Sequence, residues 1–116
     1  MEIPTYDPEN IENRVENAIN KFRRYKSSQS ERKDAIRDLV DVLEYLRPKI
    51  QKIISKKDEN DLFEIANKFG IRHHDLNQKI GYEKSIWYSW MFYYYLSTIH
   101  ACLRLLEIDQ EGKEEK

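Results

Sequence analysis

The apolar positions of this 116-residue chain fall into runs with a helical period, and the polar stretches between them mark where each helix should start and stop. Ile11, Val15, Ala18, Phe22 and Tyr25 recur at alternating steps of four and three. That single stripe predicts an amphipathic helix ending near Lys26. Asp7-Pro8-Glu9 supplies its start: a carboxylate that can accept from free backbone N–H groups, a proline suited to the first helical position, and a second acid at the positive end of the dipole. Ser27-Ser28-Gln29-Ser30 reads as a linker, and Ser28 with Glu31 three residues on has the pattern of a capping box.

A second helix is expected to run to about Lys56 on the stripe Ile36, Leu39, Val40, Leu43, Leu46, Ile50, Ile53 and Ile54. Pro48 removes one N–H and crowds the Glu44 carbonyl, so the helix should kink there or break into two pieces. Lys56 to Asn60 is read as a polar turn, with Asp58 or Asn60 placed to cap a short third helix. Leu62, Phe63, Ile65, Ala66 and Phe69 form its buried side. Gly70 is expected to stop it, since a glycine there can take the left-handed conformation, and Ile71 is placed to fold back on Ile65 or Ala66.

The last run is of a different kind. From about Ser85 to Ile108 it is apolar all round, with no formal acid or base between Lys84 and Arg104 apart from His100. Its length meets the threshold for a membrane span. Its serines, its threonine, His100 and its crowd of tyrosines would each need a partner in lipid, however, and the first two helices need a surface to pack on. The reading is therefore all-α: a compact four- to five-helix bundle, one domain over residues 1–116, with this long aromatic-rich C-terminal helix at its centre and no membrane contact. An extended lead over 1–6 and a charged, frayed tail over 109–116 complete it.

Composition narrows the function classes. The net charge is −1, so nucleic acid would have to be held by a local basic patch rather than by the field of the whole chain. One cysteine, Cys102, excludes an intrachain disulfide, and its apolar neighbours suit a small buried hydrophobe. Met1 is followed by Glu2, Asp7 and Glu9, the wrong charge for a secretory signal, and the expected compartment is the cytoplasm.

Candidate chemistry gathers in the loop between the third and fourth helices. Arg72 can hold a phosphate or carboxylate bidentately, His73 and His74 can exchange protons near neutral pH, and Asp75 can orient an imidazole. With Asn77, Gln78 and Lys79, these groups could grip a phosphodiester and move a proton without a metal. Two adjacent histidines and one aspartate do not have the spacing of a zinc site, and no cofactor motif is present. The loop can equally be a solvated connection. Along the fourth helix, Ser89, Tyr93, Ser97, His100 and Arg104 follow at steps of four, four, three and four, which puts them on one face. Either their polar tips are satisfied at the rim of the bundle, or they floor a cleft or subunit interface into which the Arg72 loop points.

Phe69-Gly70-Ile71-Arg72-His73-His74, leading into Ile86-Trp87-Tyr88-Ser89-Trp90-Met91-Phe92-Tyr93-Tyr94-Tyr95-Leu96 and Ile99-His100, resembles the C-terminal part of small bacterial helical proteins of the HEPN kind. These are associated with abortive infection and toxin-antitoxin pairs. The resemblance covers about the last third of the chain. It implies a helical bundle, commonly dimeric, and in active members a metal-independent ribonuclease using an arginine and a histidine near the start of the last long helix. Arg72 matches the arginine. Asn77, Gln78 and Lys79 stand where the family's histidine falls, which leaves His73 or His74 as its substitute.

Two functions follow as expectations. One is an RNA-directed module of a defence or toxin-antitoxin system, acting at paired Arg72 loops across a homodimer. The other is a non-catalytic helical interaction protein, in which the loop docks a nucleotide or a cognate protein and the aromatic helix makes the interface. Trp87, Trp90, Phe92, Tyr94 and Tyr95 are more aromatic surface than three short helices can cover, which predicts a two-fold homodimer through that helix or through the kinked second one.

Overall fold

The computed structural model describes residues 9–68 and 83–114, and the regular elements among them are four helices: α1 (Glu12–Arg23), α2 (Gln29–Ile50), α3 (Lys56–Lys68) and α4 (Lys84–Glu114). The Asp7-Pro8 start, the Phe69-Gly70-Ile71 ending and residues 72–79 lie outside the described residues.

Helix α1 begins after a turn over 9–11, and the Ile11 carbonyl accepts the first backbone bond, from Val15, at 2.8 Å. Ile11, Val15, Ala18 and Phe22 are all buried, as their spacing requires. Tyr25 is not: the helix stops at Arg23, Lys26 takes a left-handed φ of 60°, and the Tyr25 ring is left 86% exposed beyond the end of the stripe. The Ser27 hydroxyl donates to the Lys21 carbonyl at 3.0 Å, closing one free acceptor of the last turn. The next helix starts with the expected reciprocal box. Glu31 N–H donates to the Ser28 hydroxyl at 3.1 Å, and Ser28 N–H donates to the Glu31 carboxylate at 3.3 Å.

Helix α2 ends at Ile50, within a turn of Pro48, instead of running to Lys56. Pro48 sits inside the helix, and the chain then tightens: Lys52 N–H bonds to the Lys49 carbonyl and Ile53 N–H to the Ile50 carbonyl, three residues back. Ile53 and Ile54 therefore belong to a turn and are only partly buried. Ser55 caps α3, accepting from Asp58 N–H at 3.1 Å. The segment read as a polar turn, Lys56 to Asn60, is in fact the first turn and more of α3, because the cap lies ahead of it.

The centre of the fold is α2, not α4. It packs against α1, α3 and α4, and Ala35, Ile36, Leu39, Val40, Val42, Leu43, Leu46 and Ile50 are all buried. Helix α4 packs on it and brings Met91, Phe92, Tyr95, Leu96, Ile99, Cys102 and Leu103 into the common core. Phe22 of α1 stacks on Phe92 with ring centroids 4.0 Å apart and planes 5° apart, tying α1 to α4. The fold measures 53 × 32 × 19 Å. Among the described residues no helix is long and apolar enough to cross a membrane.

Candidate interaction face on the last helix

A helix that is apolar on all sides is normally buried on all sides. The charge-free stretch of α4 between Lys84 and Arg104 breaks that rule. Tyr88, Met91, Phe92, Tyr95, Ile99 and Leu103 point into the core, while Trp87 is 40%, Trp90 44% and Tyr93 45% exposed on the other side, with Leu105 and Ile108 further along. Both tryptophans of the chain are thus on the outer surface of this one helix. Of the five aromatic residues expected to exceed the core, Phe92 and Tyr95 are fully buried and Tyr94 is partly so.

The outer rings are ordered against one another. Trp87 and Trp90 meet edge to face at 5.7 Å, and Trp90 stacks on Tyr94 at 5.2 Å. Tyr93 sets its edge against Phe22 and carries the Arg23 guanidinium 5.8 Å from its ring. Together Trp90, Tyr93 and Tyr94 wall a shallow groove with Ser97 and Ala101 along it. The groove is chemically quiet. Ser89 donates its hydroxyl to the Ser85 carbonyl at 3.1 Å, and Thr98 donates to the Tyr94 carbonyl at 2.7 Å. Those hydroxyls are satisfied within the helix, so covering them costs little. Burial, with the Asp61 charge in support, pushes the Tyr94 phenol up, which keeps it neutral.

The structure separates the residues singled out on this helix. Ser89, Tyr93 and Ser97 line the groove. His100 is half-buried, and Arg104 is exposed, 3.6 Å from the Glu107 carboxylate; neither lines the groove. The loop residues Arg72, His73, His74, Asp75, Asn77, Gln78 and Lys79 lie outside the described residues. Cys102 is a buried free thiol whose pKa burial raises, which suits a core residue.

Two further features escaped the sequence reading. A polar groove between α1 and α2 is lined by Arg14, Asn17, Lys21, Arg24, Asp38 and Asp41. Lys21 is paired with Asp38 at 2.8 Å and Arg24 with Glu31 at 3.0 Å, so these two cations are already compensated. The second is the buried carboxylate of Glu59, 3% exposed, which accepts from Arg47 and, at 2.9 Å, from Gln51. The Arg47 hydrogen bond first, and the Gln51 bond next, hold that carboxyl below the usual range. The Arg47 guanidinium also lies 4.3 Å from the Phe63 ring centroid. This node joins the end of α2 to α3 across the Pro48 turn, and only the Arg47-to-Glu59 spacing of twelve residues could have signalled it. Among the described residues no group of three or more His, Cys, Asp or Glu side chains could hold a metal ion.

No protein-family model matches the chain, and neither a curated protein nor a solved structure shows significant similarity to it.

Proposed function

We propose that the protein is a helical interaction module that self-associates through the outer face of α4. One observation carries this reading: the stretch of α4 between Lys84 and Arg104, which holds no Asp, Glu, Lys or Arg, exposes Trp87, Trp90 and Tyr93. Exposed aromatic clusters of this kind mark interfaces, because tryptophan and tyrosine bring large apolar area at low entropy cost. The self-satisfied hydroxyls of Ser89 and Thr98 support it, since they let the face become dry. A reducing cytoplasm, where Cys102 stays a thiol, fits the same reading.

The two tryptophans report on this face alone. Their emission should shift to the blue and resist acrylamide as protein concentration rises. Concentration-independent, fully quenchable emission up to high micromolar protein rejects self-association.

The RNA-directed, HEPN-like reading is supported by the loop sequence Arg72-His73-His74. In it Arg72 binds the phosphodiester and His73 or His74 moves the proton, with Asp75, Asn77, Gln78 and Lys79 assisting, as a metal-independent endoribonuclease of a defence or toxin-antitoxin system. RNA cleavage that persists in EDTA and is lost in His73→Ala/His74→Ala, with the fold intact, is the result it requires. Wild-type RNA turnover in that variant rejects it.

A further inference from the structure

The outer face of α4 carries a gradient of size and charge along its length. Trp87, Trp90, Tyr94, Ser97, Ala101 and Arg104 succeed one another at steps of three, four, three, four and three, a seam of the kind that pairs two helices. Large rings occupy its first half, and the second half holds the small Ser97 and Ala101 followed by Arg104. Lys84 stands at one end, and Arg104 with Glu107 at the other.

We infer that the occupant of this face is the α4 of a second copy, running antiparallel about a two-fold axis near Tyr95 and Leu96. The inference rests on the self-association reading and gives it a polarity and a register. In this register Trp90 covers Ala101 of the other copy and Tyr94 covers Ser97, so bulk meets space at both layers and their symmetry mates. Trp87 lies against the other Arg104 guanidinium, a cation–π contact, and Lys84 lies against the other Glu107. The helix dipoles oppose each other favourably. A parallel pairing has none of these matches: it sets Trp90 on Trp90, Ala101 on Ala101, Lys84 on Lys84 and Arg104 on Arg104.

Polarity has a geometric consequence. The chain enters α4 at Glu83, and at 1.5 Å per residue the two entry points of an antiparallel pair lie about 35–40 Å apart.

A single spin label tests the polarity. Ser85 is exposed in the first turn of α4, and Ser85→Cys in a Cys102→Ala background can be labelled and its intermolecular distance measured by dipolar spectroscopy. The antiparallel register places the labels about 30 Å apart, from the helical rise. A distance below about 20 Å, near the spacing of adjacent helices, establishes a parallel pair and overturns this inference while leaving self-association standing. A monomer in sedimentation with no dipolar signal overturns both.

Discussion

Arg47 of α2 and Glu59 of α3 form an ion pair in which the carboxylate is buried and also accepts from Gln51. The Glu59 carboxyl is held below its ordinary 4.5 because the Arg47 bond favours the charged form. A depressed carboxylate contributes stability that is complete above the unfolded value and is lost as pH falls through the folded one. The melting temperature should therefore decline below about pH 4.5, more steeply in the wild type than in Glu59→Gln, which cannot titrate there. Calorimetry from pH 7 to pH 3 on both proteins checks this. Parallel profiles would show that the node does not couple to folding.

Tyr95 gives a second, opposite pH dependence. Its hydroxyl donates to the Leu62 carbonyl at 2.6 Å and accepts from Ala66 N–H at 3.1 Å, so it sits beside one rung of the α3 ladder. Burial drives its pKa up, far above the ordinary 10. A raised phenol leaves stability unchanged below about pH 10 and removes it as pH rises beyond, because the unfolded chain ionises first. Tyr95→Phe should cost about 1 kcal/mol at pH 7, the typical worth of a buried hydrogen bond. It should also blunt the alkaline loss. Urea titrations at pH 7 and pH 10.5 separate the two effects.

The two faces of α4 should respond differently to truncation. Phe92 is fully buried and stacked on Phe22, so Phe92→Ala should destabilise the chain by about 3–5 kcal/mol. Trp90 is 44% exposed, and Trp90→Ala should leave the unfolding free energy of the separated chain within about 1 kcal/mol. Chemical denaturation at concentrations below self-association makes the comparison. A large loss for Trp90→Ala would make that ring part of the core.

Much of the fold could be read from the spacing of apolar residues. The Ile11, Val15, Ala18, Phe22 stripe and the Ser28–Glu31 box are local patterns, and local patterns survive folding. What could not be read were the choices made between segments. Tyr25 continues the α1 stripe in sequence but is stranded by a left-handed Lys26. Glu59 looks like a turn residue until Arg47 arrives from α2. Helix α2 holds the central position because α1, α3 and α4 all pack along it, whereas the charge-free stretch of α4 concealed that one side meets the core and the other does not. Of the candidate site, the aromatic helix was legible, but which aromatics face outward was not.

Ala101 provides a steric test of the same face. In the antiparallel register it receives a tryptophan from the other copy, so Ala101→Trp should weaken association at least tenfold by filling that seat. The exposed position of Ala101 should leave the melting temperature of the separated chain nearly unchanged. Association as tight as wild type would mean that the seat lies elsewhere.

Sedimentation equilibrium of the wild type and of Trp90→Glu, from low to high micromolar, decides whether the outer face of α4 joins two chains. A charge placed at the middle of an apolar interface must be desolvated or must keep the copies apart. The expected result is a wild-type mass approaching that of two chains and a Trp90→Glu mass of one, with identical far-ultraviolet circular dichroism. A wild type that stays at the mass of one chain throughout would contradict self-association through α4.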